Sequence, residues 1–390
     1  MTHSMVAPRC QASDGARQDV PVHVRPIQHF DDLQGLGGAW DALIMRSRRA
    51  TPFSSAGWNL ACWQHLGRGR LLCLAFEQGT SLVGVAPLYL EPGPRRRLRW
   101  IGMLAPRDWR GYPISDYADV VADPDLEVEI ADAFRVWLDQ NRSFWRTLDL
   151  RLLPADGVLA RYANDHGGTT QLGASLLMEL PQSWPEYVRM VSTNMRPALE
   201  RIPRKLVRGR DARFERITAT HQLQHAMREL FRLHTARWEA EGQSGVFSTS
   251  ILRSLTGEAM SRFLDLGWLE LWLLHIDGEV AAAQLNVRLH DTLYYWISGY
   301  APGRHDLYSP GRTLMAHTIR TAIEERVRTY DFLRGDHAYK RRFGAVAVPQ
   351  FAVQDHSGPL AHIGLGTWDA GLRLARRAYR AARAAPRSPS

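Results

Sequence analysis

The sequence predicts an α/β protein with mixed sheets, built as two tandem domains. Three observations carry this. Helical periodicity alternates with short apolar runs along the chain. Each half shows helix, strand hairpin, helix and strand in the same order. A short echo links them: Arg146-Thr147-Leu148-Asp149-Leu150 resembles Arg328-Thr329-Tyr330-Asp331-Phe332, and each follows a helix and leads into a polar stretch. At 390 residues the chain is long for one domain and suits two.

Residues 1–22 are polar and without periodicity, which predicts a disordered leader. The first domain is expected over 23–180. A helix around Trp58, Cys62 and Leu66 stops at Gly67. Leu71–Phe76 and Leu82–Tyr89 read as strands turning at Gln78-Gly79, with a further strand over Leu98–Gly102. A helix over Leu126–Leu138 and a strand over Thr147–Leu153 follow. Ile114–Val120, which holds Asp116, Tyr117 and Asp119, lies beside the aromatic run Asp108-Trp109-Arg110-Gly111-Tyr112. Two readings stand for it: an acceptor-binding rim, or an aspartate-rich turn with aromatic packing.

Between the domains, Met195–Arg213 is rich in arginine and interrupted by Pro197 and Pro203. A charged, partly helical connector accounts for it; so does a site for phosphates, acidic glycans or RNA, although no interleaved aromatics offer base stacking. The second domain is expected over 181–360. His221–Gly242 and Ser250–Leu266 are helices, and Gly242 and Gly267 end them. Leu269–Ile276 turns through Asp277-Gly278 into Val280–Leu289, and Leu293–Ile297 follows. Ser309-Pro310-Gly311 opens the next helix, with a hydroxyl at the cap and proline in the first turn. Thr329–Leu333 is a strand, followed at once by Arg334, Asp336, His337, Tyr339, Lys340 and Arg341. Pro349–Val353 can be a last strand. Residues 361–390 hold a basic amphipathic helix, which can pack on its own domain or meet an anionic membrane surface.

Composition narrows the classes. The net charge of +9 comes chiefly from arginine and favours anionic partners, or reflects an arginine-rich composition. No apolar stretch reaches the ~20 residues of a membrane span. Cys10, Cys62 and Cys73 have neither metal nor disulfide spacing, which fits a reducing cytosol. His225 and His234 lack a third ligand at metal spacing, so no metal site is expected.

The two helices, three antiparallel strands, small-residue loop, helix and strand of the second half resemble the GNAT-type N-acyltransferase fold. Tyr300, Ser309-Pro310-Gly311, Asp331-Phe332-Leu333-Arg334-Gly335-Asp336 and Tyr339-Lys340 resemble the CelD-like branch more closely. That branch is associated with cellulose and other exopolysaccharide biosynthesis and is related to the Fem-type transferases. Pro52-Phe53, Trp58 and Ser115-Asp116-Tyr117 extend the likeness loosely into the first half, which implies tandem GNAT-like domains. The chain departs from the wider superfamily's loop, reading Arg304 to Gly311 with one usable glycine; it also has His337 and Phe343 where Glu and Trp are common.

The resemblance implies acyl transfer from acetyl-CoA, or another acyl-CoA, to an amine on a small molecule or glycan. Such chemistry needs a held thioester, a base and an acid, and no nucleophilic cysteine. The expected base is Asp336, directly or through water, and the expected acid Tyr339. Lys340 and Arg334 would bind phosphate or polarise the carbonyl. The helix start, with Ser309, Gly311, Arg312 and Thr313, would hold the pyrophosphate. Tyr295 and Ser298 would line the thioester channel, while Asp116 and Tyr117 would face the acceptor. For Asp336 an ion pair with Arg334 or Arg341 is the competing reading. Two other functions stay open: a Fem-like transferase using aminoacyl-tRNA, and a non-catalytic assembly factor of a polysaccharide machine. The expected location is cytoplasmic, at most peripheral to the inner membrane.

Overall fold

The computed structural model describes residues 20–106, 113–165 and 169–356. The segment 108–112, the C-terminal helix and all but the end of the leader lie outside the described residues. The first half runs β1 (His23–Ile27), α1 (Phe30–Gly35), α2 (Gly37–Arg46) and α3 (Ala56–Leu66). It continues with β2 (Arg70–Leu71), β3 (Cys73–Gln78), β4 (Ser81–Ala86), β5 (Leu88–Leu90), β6 (Arg97–Trp100) and β7 (Val121–Ala122). Next come α4 (Glu127–Gln140), β8 (Thr147–Pro154), α5 (Val158–Asp165) and β9 (Thr169–Glu179). The hairpin strands are each broken once, at Leu72 and at Pro87. Pro87 has no N–H for the ladder, and its carbonyl accepts instead from Ile101 at 2.8 Å. The hairpin thereby serves two sheets.

The second half holds α6 (Trp184–Met190), a π-turn at Pro197–Arg201, α7 (Ile202–Gly209), β10 (Ala212–Arg216), α8 (Thr220–Ala240) and α9 (Ser250–Asp265). After these follow β11 (Leu269–Ile276), β12 (Glu279–Leu289), β13 (Thr292–Tyr300), α10 (Pro310–Glu324), β14 (Thr329–Arg334), α11 (Ala338–Arg342) and β15 (Val346–His356). Asp277 and Gly278 both have positive φ, 52° and 83°, which is what a tight two-residue hairpin needs.

A four-stranded sheet has the order β1-β3-β4-β7. An eleven-stranded sheet, β10-β11-β12-β13-β14-β9-β15-β8-β6-β5-β2, crosses both halves. Strand β9 lies between β14 and β15, and β15 pairs with β8, so the halves exchange edges. The arginine-rich joint is largely helical, and β10 continues from it as the edge strand beside β11. The last strand is longer than its apolar stretch because both neighbours supply ladders along it.

The two halves also share a core. Trp58 of α3 meets Phe53 and Trp296 edge-on, each at 5.1 Å, and its indole N–H donates to Ser115 Oγ at 2.7 Å. The echo of the sequence lands at equivalent places. Strands β6 and β8 pair in parallel only at Arg97–Leu98 with Thr147–Leu148, and β13 and β14 only at Thr292–Tyr294 with Thr329–Asp331. Beyond those residues each parallel pair parts.

Candidate active site

The fork between β13 and β14 organises the site. Past Tyr294, β13 stays with β12 up to Tyr300, while β14 turns towards β9 with an irregularity between Asp331 and Arg334. A strand without a neighbour presents unpaired backbone N–H and C=O groups on that side. Helix α10 leaves the loop that follows β13. Its first-turn N–H groups have no partner within the helix.

The end of β14 is tightly fixed. Leu333 and Gly335 both have positive φ, 59° and 95°. Asp331 Oδ1 accepts the Leu333 N–H at 2.7 Å, and Oδ2 accepts the Tyr117 hydroxyl at 2.7 Å. Lys340, returning on α11, donates to the carbonyls of Phe332, Leu333 and Arg334 at 2.7, 3.3 and 2.5 Å. These three acceptors match the three protons of an ammonium. Arg334 gives both its backbone N–H and its Nε to Asp116 Oδ1, at 3.0 and 2.8 Å, and its Nη2 to the carbonyls of Pro113 and Ser115. Residues 113–117 of the first half therefore clamp the second.

Burial shapes the electrostatics there. Desolvation pushes Asp331 up to about 7, against the bonds from Tyr117 and Leu333. Tyr117 is raised well above an ordinary phenol by burial and by Asp331. Burial lowers Lys340 to about 8, opposed by the attraction of Asp116 and Asp331.

The residues expected in the site fall into two groups. Tyr295, Ser298 and Tyr339 come together: the Tyr295 hydroxyl lies 2.6 Å from Ser298 Oγ, and the Tyr339 phenol is close enough to Tyr295 to feel it. Burial, then Tyr295, raises the Tyr339 phenol. His337 stacks beside Tyr339 with ring centroids 5.9 Å apart. The Arg237 guanidinium of α8 lies 5.6 Å from the Tyr300 ring at the same mouth.

The remaining residues have other surroundings. Asp336 is exposed, and Arg341 grips it through two bonds of 2.7 and 3.0 Å, which hold the carboxyl below its usual range. Lys340 and Arg334 spend their donors on backbone carbonyls and Asp116. Asp116 and Tyr117 are buried where the halves meet, not on a rim. At the start of α10, Ser309 sits at φ 43° and its hydroxyl makes no cap bond. Thr313 is buried, donating to Tyr308 O at 2.6 Å, and Arg312 is exposed. A Cβ at Gly311 would come 3.0 Å from the Tyr300 ring, so the glycine lets the helix begin against that tyrosine.

Sequence reasoning assigned no role to Asp331, Arg237 or Gln284, and weighed His337 only as a departure. Asp331 was visible as a lone carboxylate in the apolar strand Thr329–Leu333. Gln284, fully buried under α10, donates to Thr318 Oγ1 and the Tyr330 hydroxyl at 2.8 and 2.9 Å, tying that helix to the sheet. An amide in the otherwise apolar run Val280–Leu285 was its signal. Among the described residues, no group of three His, Cys, Asp or Glu is placed to hold a metal. No helix there is long and apolar enough to cross a membrane. Cys62 and Cys73 are buried, and burial raises both thiols.

These features agree with comparisons to known proteins. The acetyltransferase (GNAT) domain family matches residues 193–341, which takes in the arginine-rich joint. Among solved structures, FemX superposes with a TM-score of 0.56 at 12% identity, over 85% of this chain and 96% of its own. The C-terminal domain of a putative lysylphosphatidylglycerol synthetase from Agrobacterium fabrum gives 0.51 at 12% identity, over 85% and 95%. L-PGS from Bacillus licheniformis gives 0.51 at 10% identity, over 83% and 93%. No curated protein sequence matches the chain. At these identities the structures speak to fold alone. The forked parallel strands, the helix leaving the loop after β13 and the matched family together show a GNAT-type acetyltransferase domain fold over residues 193–341.

Proposed function

We propose that the chain moves an acyl group, acetyl from acetyl-CoA foremost, onto an amine in the fork between β13 and β14. The observation that carries this is the meeting of Tyr295, Ser298 and Tyr339 at the fork, with Tyr300 of the same strand against the start of α10. The amine nitrogen attacks the thioester carbonyl, the tetrahedral intermediate collapses, and the thiolate leaves. Unpaired backbone N–H groups on the β14 side of β13 suit the developing oxyanion. Tyr339 gives its proton to the leaving sulfur, since a phenol raised by burial stays protonated at neutral pH. His337, rather than Asp336, takes the amine proton. Partial desolvation, then the charges of Lys340 and Arg237, lower His337 below an ordinary imidazole, which favours the neutral form that can accept a proton. Asp336 is already occupied by Arg341. The first turn of α10 receives the donor's pyrophosphate through the N–H groups of Gly311 and Arg312.

A second reading keeps the site and changes the donor to aminoacyl-tRNA. The architecture shared with FemX and the lysylphosphatidylglycerol synthetase domain favours it. The bond broken is then an ester, and the proton goes to a ribose oxygen. An alkoxide is a poorer leaving group than a thiolate, so the dependence on Tyr339 would be steeper. The amine on a glycan, and a place in polysaccharide biosynthesis, rest on the CelD-like residues of the second half. Calorimetric titration with acetyl-CoA separates the readings. Micromolar binding that is lost in Gly311→Asp supports the acetyl-CoA enzyme. Transfer that requires charged tRNA supports the second reading. Neither binding nor transfer would leave the assembly factor.

A further inference from the structure

The two forks of the eleven-stranded sheet hold different things. In the first half, β6 and β8 part after Leu98 and Leu148, and the next residue on each strand closes the base of the fork. There Arg99 Nε lies 3.4 Å from Asp149 Oδ2, and both side chains are largely buried. Beyond that pair the gap is taken by the chain itself. Ser115 lies against the continuation of β6, so close to Gly102 that a Cβ there would come 2.7 Å from the serine Oγ. Three residues on, the Ala118 N–H donates to the carbonyl of Leu152 on β8 at 3.1 Å. Leu152 has a φ of 69° and is left out of the register with β15, where Phe351 stands opposite Leu153 and Ala352 opposite Arg151. Ser115, Asp116, Tyr117 and Ala118 are all buried. The free edge of a strand offers N–H and C=O groups that an extended, amide-bearing segment can take up. In the first half a segment of the same chain lies at that edge.

The fork of the second half is open. Among the described residues, no segment hydrogen-bonds to the backbone of residues 295–298 on the side facing β14. Tyr295, Ser298 and Tyr339 meet there instead. The segment that fills the first fork also braces the second. Between Ser115 and Ala118, Asp116 accepts from Arg334 at 2.8 Å and Tyr117 donates to Asp331 at 2.7 Å. Resting on the reading that the donor lies in the fork of β13 and β14, we propose that the chain has a single donor site. Residues 115–118 stand in the first half where the amide-bearing arm of the acyl-CoA lies in the second. The first half supports that site and binds no acyl-CoA of its own.

The test titrates the full chain with acetyl-CoA in a calorimeter and maps the complex by hydrogen exchange. One donor should bind per chain, and Gly311→Asp should remove that binding. With acetyl-CoA at about ten times its Kd, exchange should slow about tenfold over residues 295–301. It should stay unchanged over residues 97–104 and 148–154. The exchange map is read on the wild type, so it stands even where Gly311→Asp fails to fold. Two donors per chain, with slowed exchange at both forks, would overturn the single site and leave the reading of β13 and β14 intact. One donor that slows exchange only over residues 97–104 and 148–154 would overturn both, as would no binding at all.

Discussion

The Tyr117 hydroxyl donates to Asp331 Oδ2 at 2.7 Å, joining a loop of the first half to the strand that forms one arm of the fork in the second. Both groups are buried, so the bond is shielded from water. Removing one partner leaves the other unsatisfied. Tyr117→Phe should lower stability by about 1–3 kcal/mol in urea denaturation. In a double-mutant cycle with Asp331→Asn, the two losses should couple by at least about 0.5 kcal/mol. Additive losses would mean that the bond contributes nothing.

The same carboxylate gives a pH dependence. Its folded value of about 7 lies above the ordinary aspartate value of 3.8. Between those values the native chain holds a proton that the unfolded chain has released. This contribution therefore weakens the fold as pH rises from about 4 to about 7, and the penalty is complete above that. Asp331→Asn should remove this slope, so wild-type stability falls relative to the variant between pH 4.5 and 7.5. Parallel denaturation midpoints for the two proteins across that range would contradict it.

Asp336 and His337 are adjacent in sequence, but they should behave differently. Asp336 lies at the surface against Arg341, and Asp336→Asn should keep turnover within about threefold, as expected for an exposed pair. His337→Asn should cost about 10²-fold or more in kcat/KM. The acid limb of the wild-type pH–rate profile should lie below the ordinary histidine value and vanish in the histidine variant. A limb that survives His337→Asn but moves in Asp336→Asn would return the base to the aspartate.

Lys340 tests the turn that closes β14. Its three bonds to the carbonyls of 332–334 hold a backbone that reverses through two residues of positive φ. Lys340→Met keeps the length of the stem and strands those acceptors. Stability should drop by about 2–4 kcal/mol, read from the urea midpoint. A loss below about 0.5 kcal/mol would show that solvent replaces the ammonium.

Much of the second half was legible because its signals are local. Leu269–Ile276 was bounded to the residue, since an apolar strand meets Asp277-Gly278, and both residues adopt the φ that such a turn needs. Tyr295 and Ser298 were expected along the thioester channel and Tyr339 as the acid, and the strand–loop–helix–strand order brings their elements side by side. The surroundings of Asp116, Arg334 and Lys340 were not legible, because each is set by a partner far away in the chain. Asp116 and Arg334 are 218 residues apart. Strand β9, with Gly173 in mid-run, lacks the plain alternation of an exposed strand, and it exists because β14 and β15 flank it. At Ser309 the residue type suggested a cap, but the left-handed backbone turns the hydroxyl away from the helix N–H groups.

The most direct test follows radiolabelled acetyl from acetyl-CoA onto a panel of amino sugars, amino acids, polyamines and peptide amines, with wild type and Tyr339→Phe side by side. The wild type should label at least one class. The phenylalanine variant should bind acetyl-CoA as well, with kcat lowered about 10²-fold. Transfer at full rate by Tyr339→Phe, or acetyl-CoA binding without transfer to any amine, would contradict acyl transfer at the fork of β13 and β14.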